Sequence, residues 1–262
     1  MSRNPSGPRL ACRSWGSVDD TPVLLVHGVQ GCGMVWAPVA TRLAAQGFHT
    51  LALDLRGHGQ SGRARSYGLS DHVQDVVDVL SRLDLGPVHL VGHSLGATIA
   101  WTLAAQHPDA VRRLVIEDQH PNRQASAPDV FRDWADQWQW AFTSREEAMQ
   151  FLDSHGHSDA WWTPSLERKP DGTWGWAFDA QSVIDSVRGV ASADHWSQLR
   201  QVRATSLVIR GRDSEHLSSQ TAAKMAAALP RGRLVTLPGD HWVHRDPEPY
   251  ARAVGHHLTE EA

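Results

Sequence analysis

A serine set between two glycines, in Gly92-His93-Ser94-Leu95-Gly96, is the stretch of this chain best suited to covalent chemistry. A serine hydroxyl is a weak nucleophile until it is held exposed next to a base. The G-x-S-x-G spacing does the holding. On a sharp turn between a strand and a helix, the serine stands above the sheet edge, and the glycines let neighbouring segments pass close by. The flanks fit that turn: Val88-His89-Leu90-Val91 reads as a buried strand and residues 95–106 as a helix. The helix would begin beneath the hydroxyl, where its dipole favours developing negative charge and the Leu95 N–H faces an oxyanion. The chemistry to expect is acyl transfer through Ser94.

A base must take the serine proton, and sixteen histidines compete for the task. His93 lies inside the turn and is too constrained to reach around to its neighbour. His155 and His157 have a metal-like spacing, but no cysteine or carboxylate pattern supports a site there, so they read as solvated and no metal is expected.

Several elements must position these groups. Short apolar runs at 23–26, 50–53, 88–91, 114–116, 207–209 and 234–237 end in Gly, Asp or Pro and suit strands buried on both faces. Between them lie helical patterns at 34–46, 95–106, 218–229 and 247–258. Val73, Val76, Val77, Leu80 and Leu83 form a further helical stripe, with Ser70 or Asp71 as its cap. This alternation implies an α/β fold, a mostly parallel doubly wound sheet with helices on both faces. It stops near Pro121 and resumes near Thr205. Residues 1–120 and 205–262 therefore read as the core, and 121–204 as an insert of several short helices.

With Ser94 in its setting, three further motifs in order make the chain resemble the α/β-hydrolase-fold superfamily: His27-Gly28 after the first buried strand, Asp54-Leu55-Arg56-Gly57-His58-Gly59-Gln60-Ser61 after the second, and Gly239-Asp240-His241-Trp242 near the end. The resemblance implies that Val29 supplies the second oxyanion N–H beside Leu95. It makes the Asp54–Ser61 stretch, His58 included, scaffold, and His241 the base, in the chain order Ser…Asp…His. His244 reads as structural or supporting. The acid that holds the imidazole usually follows the strand before the last, but Arg210-Gly211-Arg212-Asp213-Ser214 carries Ser214 at that position and Asp213 one residue early. Ile116-Glu117-Asp118, followed by Pro121, resembles a branch of bacterial serine esterases that moves the acid to this strand end. Asp118 is therefore the expected acid and Asp213 the alternative. Glu117 comes third, since adjacent residues of a strand face opposite ways.

In this fold an insert at such a position forms a lid, which adds apolar wall and excludes water. Eight of the twelve tryptophans fall between 121 and 200. Trp134, Trp138 and Ala141 share a helical stripe, which favours packing. Trp140, Trp161, Trp162 and Trp176 are candidate pocket residues, as are Trp36 and Trp242 near the chemistry, and they predict an aromatic, mostly apolar site. Residues 169–178 carry a turn at Asp171-Gly172 and suit a hairpin-like flap.

A formal net charge of −4 gives no reason to expect nucleic acid or an anionic membrane as partner. Two cysteines make no disulfide framework, and neither a signal peptide nor a bilayer-length apolar stretch is present, so a cytoplasmic setting is expected. The reading is a cofactor-free serine hydrolase acting on a carboxylic ester, lactones and thioesters included, of a small, largely apolar molecule. A carbon–carbon hydrolase, lyase or cyclase on the same scaffold, and a non-catalytic ligand receptor, remain as alternatives. Oligomeric state is not legible.

Overall fold

The computed structural model describes residues 7–122, 127–157, 162–191 and 195–260. Its strands in chain order are β1 (Cys12–Trp15), β2 (Thr21–Val26), β3 (Phe48–Leu53), β4 (Val88–His93), β5 (Val111–Glu117), β6 (Ala141–Phe142), β7 (Leu166–Arg168), β8 (Trp174–Trp176), β9 (Thr205–Gly211) and β10 (Gly232–Leu237). Its helices are α1 (Ala37–Ala44), α2 (Leu69–Arg82), α3 (Leu95–Gln106), α4 (Ala127–Gln137), α5 (Arg145–Ser154), α6 (Ala180–Ala191), α7 (Trp196–Leu199), α8 (Ser219–Ala228) and α9 (Pro247–Thr259).

The apolar runs assemble into one seven-stranded sheet, ordered β1-β3-β2-β4-β5-β9-β10 and parallel except for β1 against β3. The middle strands are covered on both faces, which is why their sequences are continuously apolar. Two strands depart from the sequence reading. β1 is an added edge strand that Cys12-Arg13-Ser14-Trp15 did not advertise, and β10 is the opposite edge, with Arg233, Leu234 and Thr236 exposed. An edge strand lacks one neighbour and keeps only half the cover that its apolar run suggests.

The chain turns back at β2, whose neighbours are β3 on one side and β4 on the other. In open α/β sheets, the crevice beyond the carboxyl ends of the strands at such a switch point binds ligands. Ser94 emerges there, at the end of β4. Helix α3 begins with it and is buried from Leu95 to Ala104, as a central helix must be. In α2, Val73, Val76, Val79 and Leu80 are buried, whereas Val77 is half-buried and Leu83 lies past the helix end and is exposed. Its cap is Gly68, with the Asp71 carboxylate three residues on accepting the Gly68 N–H at 3.1 Å. The helical pattern at 34–46 resolves into a 3-10 turn, Gly33–Trp36, followed by α1.

The strands β5 and β9 are neighbours, so everything between them stands off the sheet. Besides helices α4 to α7, this segment holds a three-stranded antiparallel sheet, β6-β8-β7, whose β7–β8 hairpin turns at Gly172 with φ +88°. Helix α4 ends at Gln137, which leaves Trp138 in the connection and Ala141 exposed in β6, off the expected stripe. Trp138, Trp162 and Trp176 pack on one another with ring centroids 5.2 to 5.7 Å apart. The His157 ring lies 5.2 Å from that of Trp162, and His155 is exposed. The segment docks on the core through Gly59 N–H to Ala177 O, Ser182 Oγ to Tyr67 Oη and Thr102 Oγ1 to Gln198 Oε1. Both cysteines carry free thiols. No helix among the described residues is long and apolar enough to cross a membrane.

Candidate active site

The turn after β4 places Ser94 at φ +52°, ψ −117°, a backbone state that an L-residue holds only at a cost. The glycines on either side make it possible. A Cβ on Gly92 would fall 2.3 Å from the Gly96 carbonyl oxygen, and one on Gly96 would fall 2.2 Å from that of Val26. The Ser94 N–H donates to the Glu117 carbonyl at 3.1 Å, which ties the turn to the tip of β5.

That tip carries two buried carboxylates. Asp118 sits at φ +43°, and its N–H donates to the Ile209 carbonyl at 2.8 Å. Its Oδ1 accepts the Gly211 N–H at 3.0 Å, and its Oδ2 accepts both Ser214 Oγ at 2.6 Å and His241 Nδ1 at 2.9 Å. Burial pushes the Asp118 carboxyl up to about 6, against the opposing pull of the Ser214 and Gly211 donors. Asp213 is exposed and contributes its N–H to the Gly239 carbonyl. The one-residue offset in Arg212-Asp213-Ser214 therefore has a direct consequence: the serine, not the aspartate, points inward and braces Asp118.

The sequence reading treated Glu117 as a weaker candidate acid for His241. It faces His244 instead. Oε1 accepts the His244 N–H at 3.1 Å and its Nδ1–H at 2.8 Å, and burial pushes the carboxyl up to about 7. The His93 ring lies between the two imidazoles, 4.7 Å from that of His241 and 4.9 Å from that of His244. Its Nε2 donates to the His241 carbonyl at 3.0 Å, and burial holds it neutral. His93, Glu117 and His244 offer possible metal-ligand atoms within 4.8 Å of one another. That spread is wide for a zinc tetrahedron with bonds of about 2.1 Å.

On the other side of Ser94, the loop after β2 carries Val29, and the Leu95 N–H heads α3, where a helix leaves it no internal partner. His27 fixes this loop. Its Nδ1–H donates to the Gly28 carbonyl at 2.6 Å, and its Nε2 accepts the Leu55 N–H at 3.0 Å. Burial drives its pKa down to about 3, so it serves as a neutral strut. Asp54 accepts N–H groups from Gly33 and Gln60, and Arg56 forks onto Asp75, which is the scaffold role expected of the Asp54–Ser61 stretch.

The tryptophans divide. Trp36 is fully buried, its ring 4.4 Å from that of His244 and behind the site, so the expectation that it lines a substrate surface is corrected. The 3-10 turn rolls its ring inward. Trp162 and Trp176, at 2% and 1% exposure, belong to the core of the β5–β9 segment. Half-buried Trp140 donates its Nε1–H to the Ala135 carbonyl and packs against Trp134 and Phe178. Trp161 lies outside the described residues. Trp242 stays beside the expected base, 5.3 Å from the His241 ring and with Arg245 over its face. A cleft of about 460 Å³ opens there, lined by Asp213, Glu215, His216, Asp240, His241 and Trp242. This wall sets the Trp242 indole and mostly apolar accessible surface among three carboxylates, those of Asp213, Glu215 and Asp240. The sequence reading missed Ser214 as a brace and His216, whose ring lies 4.3 Å from that of His241. Neither carries a signal beyond lying near Asp213.

A family model described as alpha/beta hydrolase fold matches residues 21–247. A 2-(acetamidomethylene)succinate hydrolase of Mesorhizobium japonicum is 29% identical over 240 residues, 88% of this chain and 86% of that protein. An sn-1-specific diacylglycerol lipase of Danio rerio is 24% identical over 244 residues, 88% of this chain and 76% of its own. The crystal structure of an E-2-(acetamidomethylene)succinate hydrolase superposes with a TM-score of 0.86 at 27% identity, covering 97% of this chain and 96% of that one.

Proposed function

The chain belongs to the alpha/beta hydrolase fold family, and on that premise we propose that it is a serine hydrolase that cleaves a small carboxylic ester, thioester or lactone through an acyl-serine intermediate. One observation carries the reading: the buried Asp118 carboxylate holds His241 Nδ1 at 2.9 Å, while His93, next to the strained Ser94, holds the His241 backbone against the turn.

Ser94 Oγ attacks the carbonyl carbon as its proton passes to His241 Nε2. The negative oxygen is held by the N–H groups of Val29 and Leu95. Asp118 stabilises the imidazolium and fixes the tautomer in which Nδ1 carries hydrogen. The tetrahedral intermediate collapses, and the departing alcohol or thiol takes the proton from Nε2. Water then attacks the acyl-serine, giving its proton to His241. Collapse returns that proton to Ser94 and releases the acid. Asp118 must be ionised, so with its carboxyl near 6 activity fails as the pH drops through that value.

The similarity to (acetamidomethylene)succinate hydrolases over most of both chains supports a second substrate arm, a substituted succinate bearing an acylated amine. The test is a fluorophosphonate probe followed by a substrate panel. We expect a mass increase on the peptide containing Ser94, and a burst of nitrophenol from a short nitrophenyl ester that Ser94→Ala abolishes. An unlabelled folded protein would overturn the reading. Product formed without incorporation of oxygen from labelled water would point to a lyase or cyclase.

A further inference from the structure

Glu117 and Asp118 are consecutive, yet each holds a different histidine of the loop that follows β10. Asp118 takes the His241 ring, and Glu117 takes both the backbone N–H and the ring Nδ1–H of His244, three residues on. The Glu117 carbonyl also accepts the Ser94 N–H. One residue thus touches both limbs of the site, the nucleophile's turn through its backbone and the histidine loop through its side chain. His244 in turn carries the Trp36 ring on its face, so the loop is clamped between a carboxylate and an indole.

We propose that Glu117 is a positioning residue that sets the reach of His241 toward Ser94 by anchoring the loop at His244, and that its ionisation state makes this anchoring pH-sensitive. The inference rests on the serine hydrolase reading. The charged and titratable groups facing the Glu117 carboxyl are His93 from the end of β4, His244 from the loop, Tyr250 from α9 and Asp118 from its own strand. His93 is held neutral by burial, and the Tyr250 phenol is held protonated by burial. Burial has pushed the Glu117 carboxyl to about 7, so it changes charge near neutrality. Ionised, it is a strong acceptor for two donors of the loop. Protonated, it is a weak one, and the loop loosens as pH falls.

Glutamine in this place keeps an acceptor for both donors and removes the titration. Glu117→Gln, a neutral acceptor like the protonated acid, is expected to lose about five- to tenfold in kcat/KM at pH 9, and to move the acid midpoint of the remaining kcat/KM profile to lower pH by at least about half a unit. Glu117→Ala, which leaves both donors unanswered, is expected to lose about 10²-fold. Histidine ring proton shifts give a readout that does not depend on turnover. The ring signal of His244, which donates to Glu117, should report in the parent a transition near pH 7 that is absent from Glu117→Gln. An unchanged acid midpoint, or a transition that persists in Glu117→Gln, overturns the proposal. So does a folded Glu117→Ala of parental activity. If Glu117→Ala does not fold, the glutamine variant decides alone. An unlabelled Ser94 with the expected ring shifts would sink the hydrolase reading and leave the anchoring intact.

Discussion

The tip of β5 and the tryptophan cluster between β5 and β9 are both buried, and they are built on opposite principles. The tip buries charge and strain. Of the four non-glycine residues with positive φ among the described residues, Gln30, Ser94 and Asp118 surround the site, and only Asp84 lies elsewhere. Each such residue costs on the order of 1–3 kcal/mol. Two carboxylates there are forced well above their ordinary pKa. The cluster buries apolar rings instead, Trp138, Trp162 and Trp176, with no such backbone strain among its described residues. The contrast teaches where the molecule gives up stability and where it gains it: the strained tip carries the groups of the proposed chemistry, and packing holds the segment above it.

That contrast predicts that damage at the two places will read out differently. Ser94→Ala should lower kcat/KM by 10⁴-fold or more, the scale for losing a nucleophile, and leave the melting temperature nearly unchanged, because the backbone strain remains. Asp118→Asn should cost about 10³- to 10⁴-fold through the wrong tautomer of His241, while Asp213→Asn stays within about threefold. If Asp213→Asn proved the damaging substitution in steady-state assays, the assignment of strain and chemistry to the β5 tip would be wrong.

At the other region the signature reverses. Trp176 is 1% exposed, with Trp138, Trp162, Phe142 and Phe178 around its ring, and its Nε1–H donates to the Gln139 carbonyl. Trp176→Ala should destabilise by about 3–5 kcal/mol in denaturant unfolding. Fluorophosphonate labelling of Ser94 in the fraction that remains folded should stay within about tenfold of the parent rate. A large loss of labelling with little loss of stability would make Trp176 part of the reacting pocket.

These outcomes bear on what a sequence reader could know. The turn at Ser94 was legible because its determinants, two glycines and a strand-to-helix change, lie within a few residues. The offset at Asp213-Ser214 was legible as an anomaly. Its consequence, Ser214 bracing Asp118 across 96 positions, was not. The Glu117–His244 pair spans 127 positions and left no local trace. β1 stayed hidden because Cys12-Arg13-Ser14-Trp15 lacks an apolar run, and the small sheet because its strands are two or three residues long. The tryptophans were countable, but their direction depends on where α4 ends and on the turn that rolls Trp36 inward.

Acid should unfold the protein through its buried histidines before it acts on the surface. His27, His58, His72, His89, His93 and His257 all have pKa values lowered by burial. The unfolded chain takes protons on these residues below about pH 6.5 that the folded chain refuses, so stability falls as pH falls. Asp75, Glu117 and Asp118, raised by burial, act in the opposite sense, because the folded chain protonates them first. The histidines outnumber them, so stability should fall between about pH 6.5 and 5. Melting temperatures that rise over that interval would show that the charged tip, not the histidines, dominates the acid response.

A modest loss is predicted where the segment above meets the loop after β2. Ser165 is fully buried in the turn between Trp162 and β7, and its Oγ donates to the Gln30 carbonyl at 3.3 Å. Beside it Cys32 Sγ donates to the Pro164 carbonyl at 3.2 Å. Gln30 follows Val29 and holds φ +66°, so its strained backbone is fixed from above by Ser165, while His27 fixes the same loop from below through Gly28. Ser165→Ala removes one long hydrogen bond and leaves the strain. About 1 kcal/mol is at stake, or roughly a fivefold loss of kcat/KM. The loss should fall mainly on kcat, since a loosened Val29 N–H weakens the hold on the oxyanion more than on the bound substrate. A fall confined to KM would mean that the segment shapes binding alone, and that the strained loop keeps its geometry without help from above.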